Sequence, residues 1–247
     1  MSPSSAQWRA AGQLDPARFE ALRSPPYRGW LARSLDPELR ARLLDDPDAL
    51  LAAGEVLKDD RASLVVALGA GDDALVVKRF RYPDALRALR RAPRRSRARR
   101  AFEAAVRLEA LGVEVAEPLG VLEQRQFGLG LASWLLARRV RGVDAAEALA
   151  EPTLDDTGRR ALVERLLAIV ERLQRGHIVH GDLKATNFLV DGPTVRLLDL
   201  HAVARVPRSG HRRLVRDRRR FLRNLEPWPE LRALAEARLG APGARRQ

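Results

Sequence analysis

A short stretch in the second half of the chain combines side chains suited to phosphoryl transfer. It reads His-Gly-Asp-Leu-Lys-Ala-Thr-Asn over residues 180–187, and Asp199 follows twelve residues after Asn187. Phosphoryl transfer needs a carboxylate for the attacking hydroxyl, a cation for the phosphate, and oxygen ligands for magnesium. Asp182, Lys184, Asn187 and Asp199 provide these groups. The sequence therefore predicts a site that moves a phosphoryl group.

The residues that follow Asn187 predict a β-hairpin. Apolar segments at 188–190 and 195–198 flank Asp-Gly-Pro-Thr at 191–194, which is typical of two strands joined by a turn. The alternative is that His-Gly-Asp-Leu is an ordinary turn in which Asp182 is only a cap. That alternative does not account for the spacing of four functional positions or for the hairpin between them.

The loop resembles the catalytic loop of the protein-kinase-like superfamily, His-x-Asp-Leu-x-x-x-Asn with a metal-binding Asp one hairpin later. The resemblance implies that Asp182 engages the acceptor hydroxyl, that Lys184 steadies the γ-phosphate of ATP, and that Asn187 and Asp199 hold Mg²⁺. It also implies an α+β, bilobal kinase-like fold. Such a fold has a β-rich N-lobe, a helical C-lobe and an ATP cleft between them.

A kinase-like fold also requires a strand lysine for the α- and β-phosphates and a helix glutamate that holds it. Lys78 ends the β-rich run Ala-Leu-Val-Val-Lys at 74–78. Residues 100–111 have helical periodicity, and Gly112 is suited to cap that helix. We predict Glu103 as the partner of Lys78. Glu109 is the alternative partner of Lys78, but it lies near the predicted end of the helix.

The loop that would cover the nucleotide contains little glycine. Residues 56–63 read Val-Leu-Lys-Asp-Asp-Arg-Ala-Ser, without the Gly-x-Gly-x-x-Gly of eukaryotic-type kinases. Because a backbone with side chains cannot approach phosphates as closely as glycine does, charged and hydroxyl side chains are expected to substitute. Lys58, Arg61 and Ser63 are the candidates. An exposed polar turn is the alternative interpretation of the same residues.

Several short motifs together resemble the lipopolysaccharide core kinases, the Kdo and heptose kinases of Gram-negative bacteria. They are the 56–63 loop, Val-Val-Lys-Arg-Phe at 76–80, Leu-Gly-Val-x-Val-x-x-Pro-Leu at 111–119, the His-Gly-Asp-Leu loop and Leu-Leu-Asp-Leu-His at 197–201. The resemblance covers about residues 50–225. It implies ATP-dependent phosphorylation of a sugar hydroxyl on a lipid-linked core oligosaccharide. Asp-Leu-His favours heptose over Kdo, but the acceptor sugar stays open.

The net charge of +13 is concentrated in two arginine runs. Such clusters are attracted to phosphate-bearing surfaces, and an anionic membrane fits the resemblance. Aromatic residues make up 5% of the chain and do not alternate with these arginines, so no specific nucleic acid is predicted as a partner. The alternative is that both runs are only solvated. The runs comprise Arg87, Arg90, Arg91, Arg94, Arg95, Arg97, Arg99 and Arg100, then Arg205, Arg208, Arg212, Arg213, Arg216, Arg218, Arg219, Arg220 and Arg223.

The predicted organisation is an N-terminal extension over residues 1–50, an N-lobe over 51–140 and a C-lobe over 141–247. The extension is expected to contain short helices such as 37–44, and the main helix of the C-lobe is expected over about residues 156–175. Asp217, the acid that interrupts the second arginine run, is expected either to anchor the catalytic loop or to form a surface ion pair. No signal peptide, membrane span or cysteine is found. We therefore expect a cytoplasmic protein, peripheral at the inner membrane.

Two other classes of function remain open from the sequence. One is a kinase-like phosphotransferase that acts on another small molecule or on a protein. The other is a catalytically silent pseudokinase, against which the retention of Lys78, Glu103, Asp182, Asn187 and Asp199 argues. The sequence does not determine the oligomeric state.

Overall fold

The structure is a computed structural model that describes residues 5–71, 74–81, 95–126, 129–207 and 211–240. Contacts divide the chain into two compact units. The sheet unit comprises Gly12–Val106 and Ala116–Arg139, and the helical unit comprises Met1–Ala11, Arg107–Val115 and Val140–Gln247. This confirms the α+β class, with one β-rich and one mainly helical unit.

The sheet unit is built on a seven-stranded antiparallel sheet. Its strands are β1 (Phe19–Ser24), β2 (Tyr27–Ala32), β3 (Glu55–Asp59), β4 (Ser63–Leu68), β5 (Leu75–Phe80), β6 (Pro118–Gln126) and β7 (Leu129–Arg138). Their order in the sheet is β1-β2-β6-β7-β5-β4-β3. Neighbours in this order are consecutive in the chain except at the β2–β6 and β5–β7 pairs.

Helix α4 (Arg97–Ala110) contributes one apolar side to the core of the sheet unit. Ala98, Phe102 and Val106 recur every four residues and are buried in the same cluster as the sheet. The rings of Phe102 and Phe19 pack edge to face, with their centroids 5.1 Å apart. The helix begins three residues before the predicted position because the Ser96 hydroxyl accepts a hydrogen bond from the Arg99 N–H, which makes Ser96 its N-cap.

The helical unit is centred on α6 (Asp156–Arg175), whose bounds match those predicted. Asp155 caps its first turn by accepting from the Gly158 N–H at 2.7 Å, and its inward side buries Leu162, Leu166 and Val170. The other elements of this unit are α1 (Ser5–Ala10), β8 (Val143–Asp144), α5 (Ala145–Ala150), β9 (Ile178–Val179), β10 (Phe188–Asp191), β11 (Thr194–Leu197), β12 (Ala204–Arg205), α7 (His211–Arg223) and α8 (Pro229–Leu239).

The first fifty residues contain more than the short helices that we predicted. Helices α2 (Pro37–Asp45) and α3 (Pro47–Ala52) confirm that part of the prediction. Strands β1 and β2 were not predicted, and β2 pairs with β6 over five residues. The hairpin is part of the sheet, and its buried residues, such as Leu31, belong to the core of the sheet unit. Among the described residues, no helix combines the length and apolar character that a membrane crossing requires.

Candidate active site

The predicted catalytic loop lies between β9 and the β10–β11 hairpin. A 3₁₀ turn over Ala185–Asn187 leads directly into β10, and β10 pairs with β11 in the register Phe188 to Leu197. This confirms the predicted hairpin. Gly181 has φ +89°, and a Cβ built on it would lie 2.8 Å from the Cβ of Ala202. The loop therefore requires glycine at this position, both for its backbone and for the close approach of Ala202.

Asp217 on α7 holds the start of the loop. Its carboxylate accepts the backbone N–H of His180 at 2.6 Å and that of Gly181 at 3.0 Å. Asp217 is only 6% exposed, so these bonds satisfy a buried carboxylate as well as the buried N–H of His180. Of the two roles considered for Asp217, the structure confirms the anchor.

His180 joins the loop to the strand that leads to Asp199. Its Nδ1 accepts from the Asp182 N–H at 3.3 Å, so the ring proton is on Nε2, which donates to the Leu198 carbonyl at 2.8 Å. Burial lowers the pKa of His180 below its usual value, against the opposing effect of that carbonyl. His180 is therefore a neutral bridge within the loop and not an acid or base.

The Asp182 carboxylate is oriented by three side chains. Arg220 Nη1 donates to Oδ1 at 2.8 Å, and the same atom donates to the Gly181 carbonyl at 2.8 Å. Asn187 Nδ2 donates to the Asp182 carbonyl at 2.7 Å and to Oδ2 at 3.3 Å. Lys184 Nζ lies 3.5 Å from Oδ2. The side chain keeps 36% of its surface exposed, so it is both held and accessible.

Asn187 and Asp199 are the predicted metal ligands, and each has a side-chain oxygen of the kind that Mg²⁺ prefers. Because Asn187 uses Nδ2 toward Asp182, its Oδ1 is the atom that can bind a metal. The Leu198 N–H donates to the Asn187 carbonyl at 2.8 Å, which fixes the residue before Asp199 beside Asn187. In the part of the chain described, no three histidine, cysteine or acidic side chains form a metal-binding group. One amide and one carboxylate still fit Mg²⁺, which completes its shell with water and substrate phosphates.

Asp199, two residues after the end of β11, adopts a left-handed backbone conformation with φ 56° and ψ 52°. Few residues other than glycine adopt it without strain, and aspartate is one of the more tolerant. His201 Nδ1 lies 2.9 Å from Asp199 Oδ1, and since a carboxylate only accepts, this nitrogen carries the proton. The His201 ring thus orients the predicted metal ligand.

In the sheet unit, Lys78 and Glu103 lie where they were predicted, on β5 and α4. Lys78 is half-buried, and its Nζ lies 5.2 Å from the centre of the Phe80 ring. Glu103 is 9% exposed and accepts from Arg95 and, at 3.0 Å, from Arg99 Nε. The Arg99 guanidinium stacks over the Trp30 ring. Sequence analysis did not anticipate these arginine partners, and the Lys78–Glu103 pair stays a prediction.

The loop between β3 and β4 is an ordered turn around Asp60. Lys58 Nζ pairs with this carboxylate at 3.0 Å, and the backbone N–H groups of Ala62 and Ser63 donate to it. The Lys58 bond and then the two backbone bonds lower the pKa of Asp60 to about 2. Ser63 is buried with its hydroxyl toward Asp60, whereas Lys58 and Arg61 are exposed. A phosphate could therefore be reached more easily by the two cations than by Ser63.

A cavity of 460 Å³ in the sheet unit lies away from these residues. It is lined by parts of α2, α3 and strands β3 to β5, among them Arg42, Glu55 and Leu75. None of the predicted site residues lines it. We therefore assign it no part in the predicted chemistry.

Two residues of the candidate site lie on α7. The sequence analysis left the role of Asp217 undecided and did not predict the role of Arg220. Asp217 and Arg220 are three residues apart, so both point from one side of α7 toward the loop. The single acid within an arginine run was a usable signal for Asp217. Arg220 had no such signal, because it is one of many arginines in that run.

Comparison with known proteins gives the class of this chain. Residues 85–238, more than half of the chain, match the model of the "Lipopolysaccharide kinase (Kdo/WaaP) family". No curated protein matches the chain. A solved structure described as "WaaP in complex with acyl carrier protein" is similar at 19% identity and a TM-score of 0.49, over 85% of this chain and 98% of that one.

The family match and the loop define a kinase, an enzyme that transfers phosphate from ATP to an alcohol group. Within that class, the chain belongs to the lipopolysaccharide kinase (Kdo/WaaP) family. The resemblance noted in the sequence is thereby confirmed. Whether the acceptor is heptose or Kdo is not specified by the family.

Proposed function

We propose that this protein phosphorylates a hydroxyl of heptose or Kdo in the inner core of lipopolysaccharide, with ATP as donor and Mg²⁺ as cofactor. The observation that carries the proposal is the Asp182 carboxylate, oriented by Arg220 and Asn187 and still one-third exposed. A carboxylate held in this way can orient a hydroxyl and accept its proton.

In the proposed reaction, the acceptor hydroxyl donates a hydrogen bond to the Asp182 carboxylate. The sugar oxygen attacks the γ-phosphorus, the bond from that phosphorus to the β,γ-bridging oxygen breaks, and the hydroxyl proton passes to Asp182. ADP leaves with the electron pair of the broken bond. Lys184, whose Nζ lies beside Asp182, would offset the charge on the transferred group.

Asn187 and Asp199 would hold Mg²⁺ through the Asn187 Oδ1 and the Asp199 carboxylate. When bound, the ion neutralises phosphate charge as it develops in the transition state. His201 contributes by keeping the Asp199 carboxylate in one orientation. Asp217 contributes by fixing the loop that carries Asp182.

The nucleotide contacts in this proposal come from the sheet unit. Lys78 would bind the α- and β-phosphates with Glu103 as its partner, and Lys58 and Arg61 would contribute charge to the covering loop. Ser63 is the third candidate of this loop, and both its backbone N–H and its hydroxyl contact Asp60. The organisation into residues 1–50, 51–140 and 141–247 is part of the same proposal.

We further propose that the enzyme acts on a lipid-linked oligosaccharide at the cytoplasmic face of the inner membrane. The family supports a lipopolysaccharide substrate, and such a substrate is held in a membrane by its lipid. The net charge of +13 favours an anionic membrane surface as a partner.

The test is transfer of labelled γ-phosphate from ATP, with Mg²⁺, to two separately prepared acceptors. One is Kdo–lipid A and the other is a heptosylated core, each with the Asp182→Asn protein as the blank. If the wild type labels one acceptor and the Asp182→Asn protein does not, the proposal is supported and the sugar is identified. Label on neither, while ATP is still hydrolysed slowly, contradicts it and indicates another acceptor, such as a different small molecule or a protein.

A further inference from the structure

The exposed side of α7 consists of arginine along its last three turns. The helix buries Asp217, Arg218, Phe221 and Leu222, and these four residues occupy one side of it. The exposed residues of those turns share the opposite side. They are Arg212, Arg213, Arg216, Arg219 and Arg223, and we call them the arginine face.

The arginine face forms one continuous stripe. Arg212, Arg216, Arg219 and Arg223 are spaced by four, three and four residues, so they lie above one another on the helix surface. At about 1.5 Å per residue, the stripe is about 16 Å long. Within the described residues, no carboxylate pairs with any of the five arginines. By contrast, the buried Arg218 donates to the Leu239 carbonyl and Arg220 donates to Asp182.

We propose that the arginine face is the surface by which the enzyme docks on the anionic headgroups of a lipid bilayer. This inference rests on the proposed function, in which the acceptor is anchored in a membrane. Guanidinium groups match phosphate oxygens in geometry as well as in charge, and a row of unpaired arginines loses no internal ion pair when it binds. Docking is electrostatic and is weakened by salt.

The composition of the face favours a bilayer over other anionic partners. It contains no aromatic side chain on which bases could stack and no apolar side chain that could anchor a protein partner. The apolar side of α7 is buried in the helical unit, so the helix does not insert among acyl chains. What remains is a straight row of positive charge, which suits an extended anionic surface.

The position of Arg220 connects docking with catalysis. Arg220 lies on α7 between the arginine face and the buried side, four residues after Arg216 and three before Arg223. It holds the Asp182 carboxylate. A bilayer bound along the arginine face would therefore contact the same helix that orients Asp182, which would bring Asp182 toward an acceptor anchored in that bilayer.

The experiment measures binding of the full-length protein to sedimented vesicles. Vesicles of phosphatidylcholine alone are compared with vesicles that also contain phosphatidylglycerol. The test variant is Arg212→Gln/Arg216→Gln/Arg219→Gln. The control, Arg9→Gln/Arg23→Gln/Arg28→Gln, removes the same charge from exposed positions elsewhere. Circular dichroism and the thermal midpoint verify that both variants are folded.

The wild type is expected to bind only the anionic vesicles, and the test variant about a hundredfold more weakly, given what each basic residue contributes near an anionic leaflet. The control variant is expected to keep most of the wild-type affinity. Equal losses in both variants would overturn the inference, because net charge and not this face would then decide binding. So would a test variant that binds vesicles normally but loses affinity for a single-stranded oligonucleotide.

This experiment needs neither ATP nor an acceptor. Failure of docking and failure of the proposed function are therefore distinguishable. Loss of vesicle binding in the test variant supports the docking face even if no labelled sugar is formed. Normal vesicle binding by that variant overturns the docking face even if the wild type phosphorylates its acceptor.

Discussion

Asp182 illustrates how the predicted chemistry depends on neighbours that a motif does not contain. The sequence places Asp182, Lys184 and Asn187 on one loop, and the structure adds the contact from Arg220 to Oδ1. A guanidinium that binds both the carboxylate and the preceding carbonyl limits the rotation of the side chain. The position of the Asp182 carboxylate is thus determined from α7 as well as from the loop.

Replacing Arg220 tests that arrangement. Arg220→Gln is expected to lower kcat about tenfold, because the lost charge-assisted bond allows Asp182 to leave its productive orientation. The KM for ATP should change much less. Arg220→Lys should recover part of the rate, since an ammonium restores the charge but cannot reproduce the planar contacts of arginine. Steady-state kinetics of the three proteins gives these values.

The matched control for Arg220 is Arg160→Gln, which removes an exposed arginine that pairs with Glu164 on α6. It is expected to keep the wild-type kcat. An unchanged kcat in Arg220→Gln, or an equal fall in both variants, would show that Arg220 does not position Asp182.

His180 predicts a pH dependence of stability. Its pKa is lowered in the folded protein by burial, whereas the unfolded chain titrates near 6.5. Below that pH the unfolded state binds a proton that the folded state does not, so the contribution of His180 is present above about pH 6.5 and is lost as the pH falls toward the folded pKa. The free energy of unfolding in urea should therefore decrease over this range.

His180→Gln is expected to be less stable than the wild type and to show a smaller decrease over the same pH range. His211→Gln, which changes an exposed histidine at the start of α7, should keep the wild-type slope. If His180→Gln retained the full wild-type slope, the pH dependence would have to come from other groups.

Among the elements, the predicted catalytic loop depends on a glycine for two separate reasons. Gly181 has a positive φ, and it also faces Ala202 across a gap that a Cβ would fill. Gly192, in the turn of the hairpin, has φ +54°, but a Cβ added there would meet no atom within 4 Å. Alanine substitutions at Gly181 and Gly192 therefore distinguish the cost of backbone strain from the cost of steric contact.

Gly192→Ala is expected to cost about 1 kcal/mol of unfolding free energy, because alanine must adopt a left-handed conformation. Gly181→Ala should cost at least about 1 kcal/mol more, since the new methyl overlaps Ala202. Urea unfolding of both variants provides the comparison, and Gly181→Ala/Ala202→Gly should recover part of the difference. An equal loss of unfolding free energy in the two single variants would show that Ala202 moves aside at no cost in stability.

The sequence predicted those elements whose patterns are local. The β10–β11 hairpin follows from two apolar runs around a Gly-Pro turn, and α6 follows from its periodic leucines. The β1–β2 hairpin was missed because its short strands are specified by pairing with β6, nearly a hundred residues later. Long-range pairing of this kind leaves little trace in a single sequence.

The same distinction applies to the candidate site. Asp182, Asn187 and Asp199 could be predicted as site residues because the loop and the hairpin keep them close along the chain. The arginines around Glu103 and the contact of Arg220 with Asp182 depend on how helices pack, which spacing alone does not specify. These arginine contacts were also hard to predict because a chain with 45 lysines and arginines offers too many equivalent candidates.

For the whole molecule, family membership, net charge and the arrangement of each unit support one account. The helical unit carries Asp182, Asn187 and Asp199, the residues of the predicted chemistry. Its helix α7 carries the arginine face. The sheet unit carries the predicted nucleotide residues Lys78 and Glu103. The account is that of a kinase that works on a substrate held at an anionic surface.

The measurement that tests this account most directly is the rate of ATP-dependent phosphate transfer to the core acceptor by wild type, Asp182→Asn and Asp191→Asn. Asp191 is a matched control, since it lies in the hairpin and pairs with Arg196 at 3.2 Å. We expect Asp182→Asn to lower kcat by at least about a hundredfold, the contribution typical of a positioned base, while Asp191→Asn stays close to wild type. An Asp182→Asn enzyme that transfers phosphate at the wild-type rate would contradict the central claim.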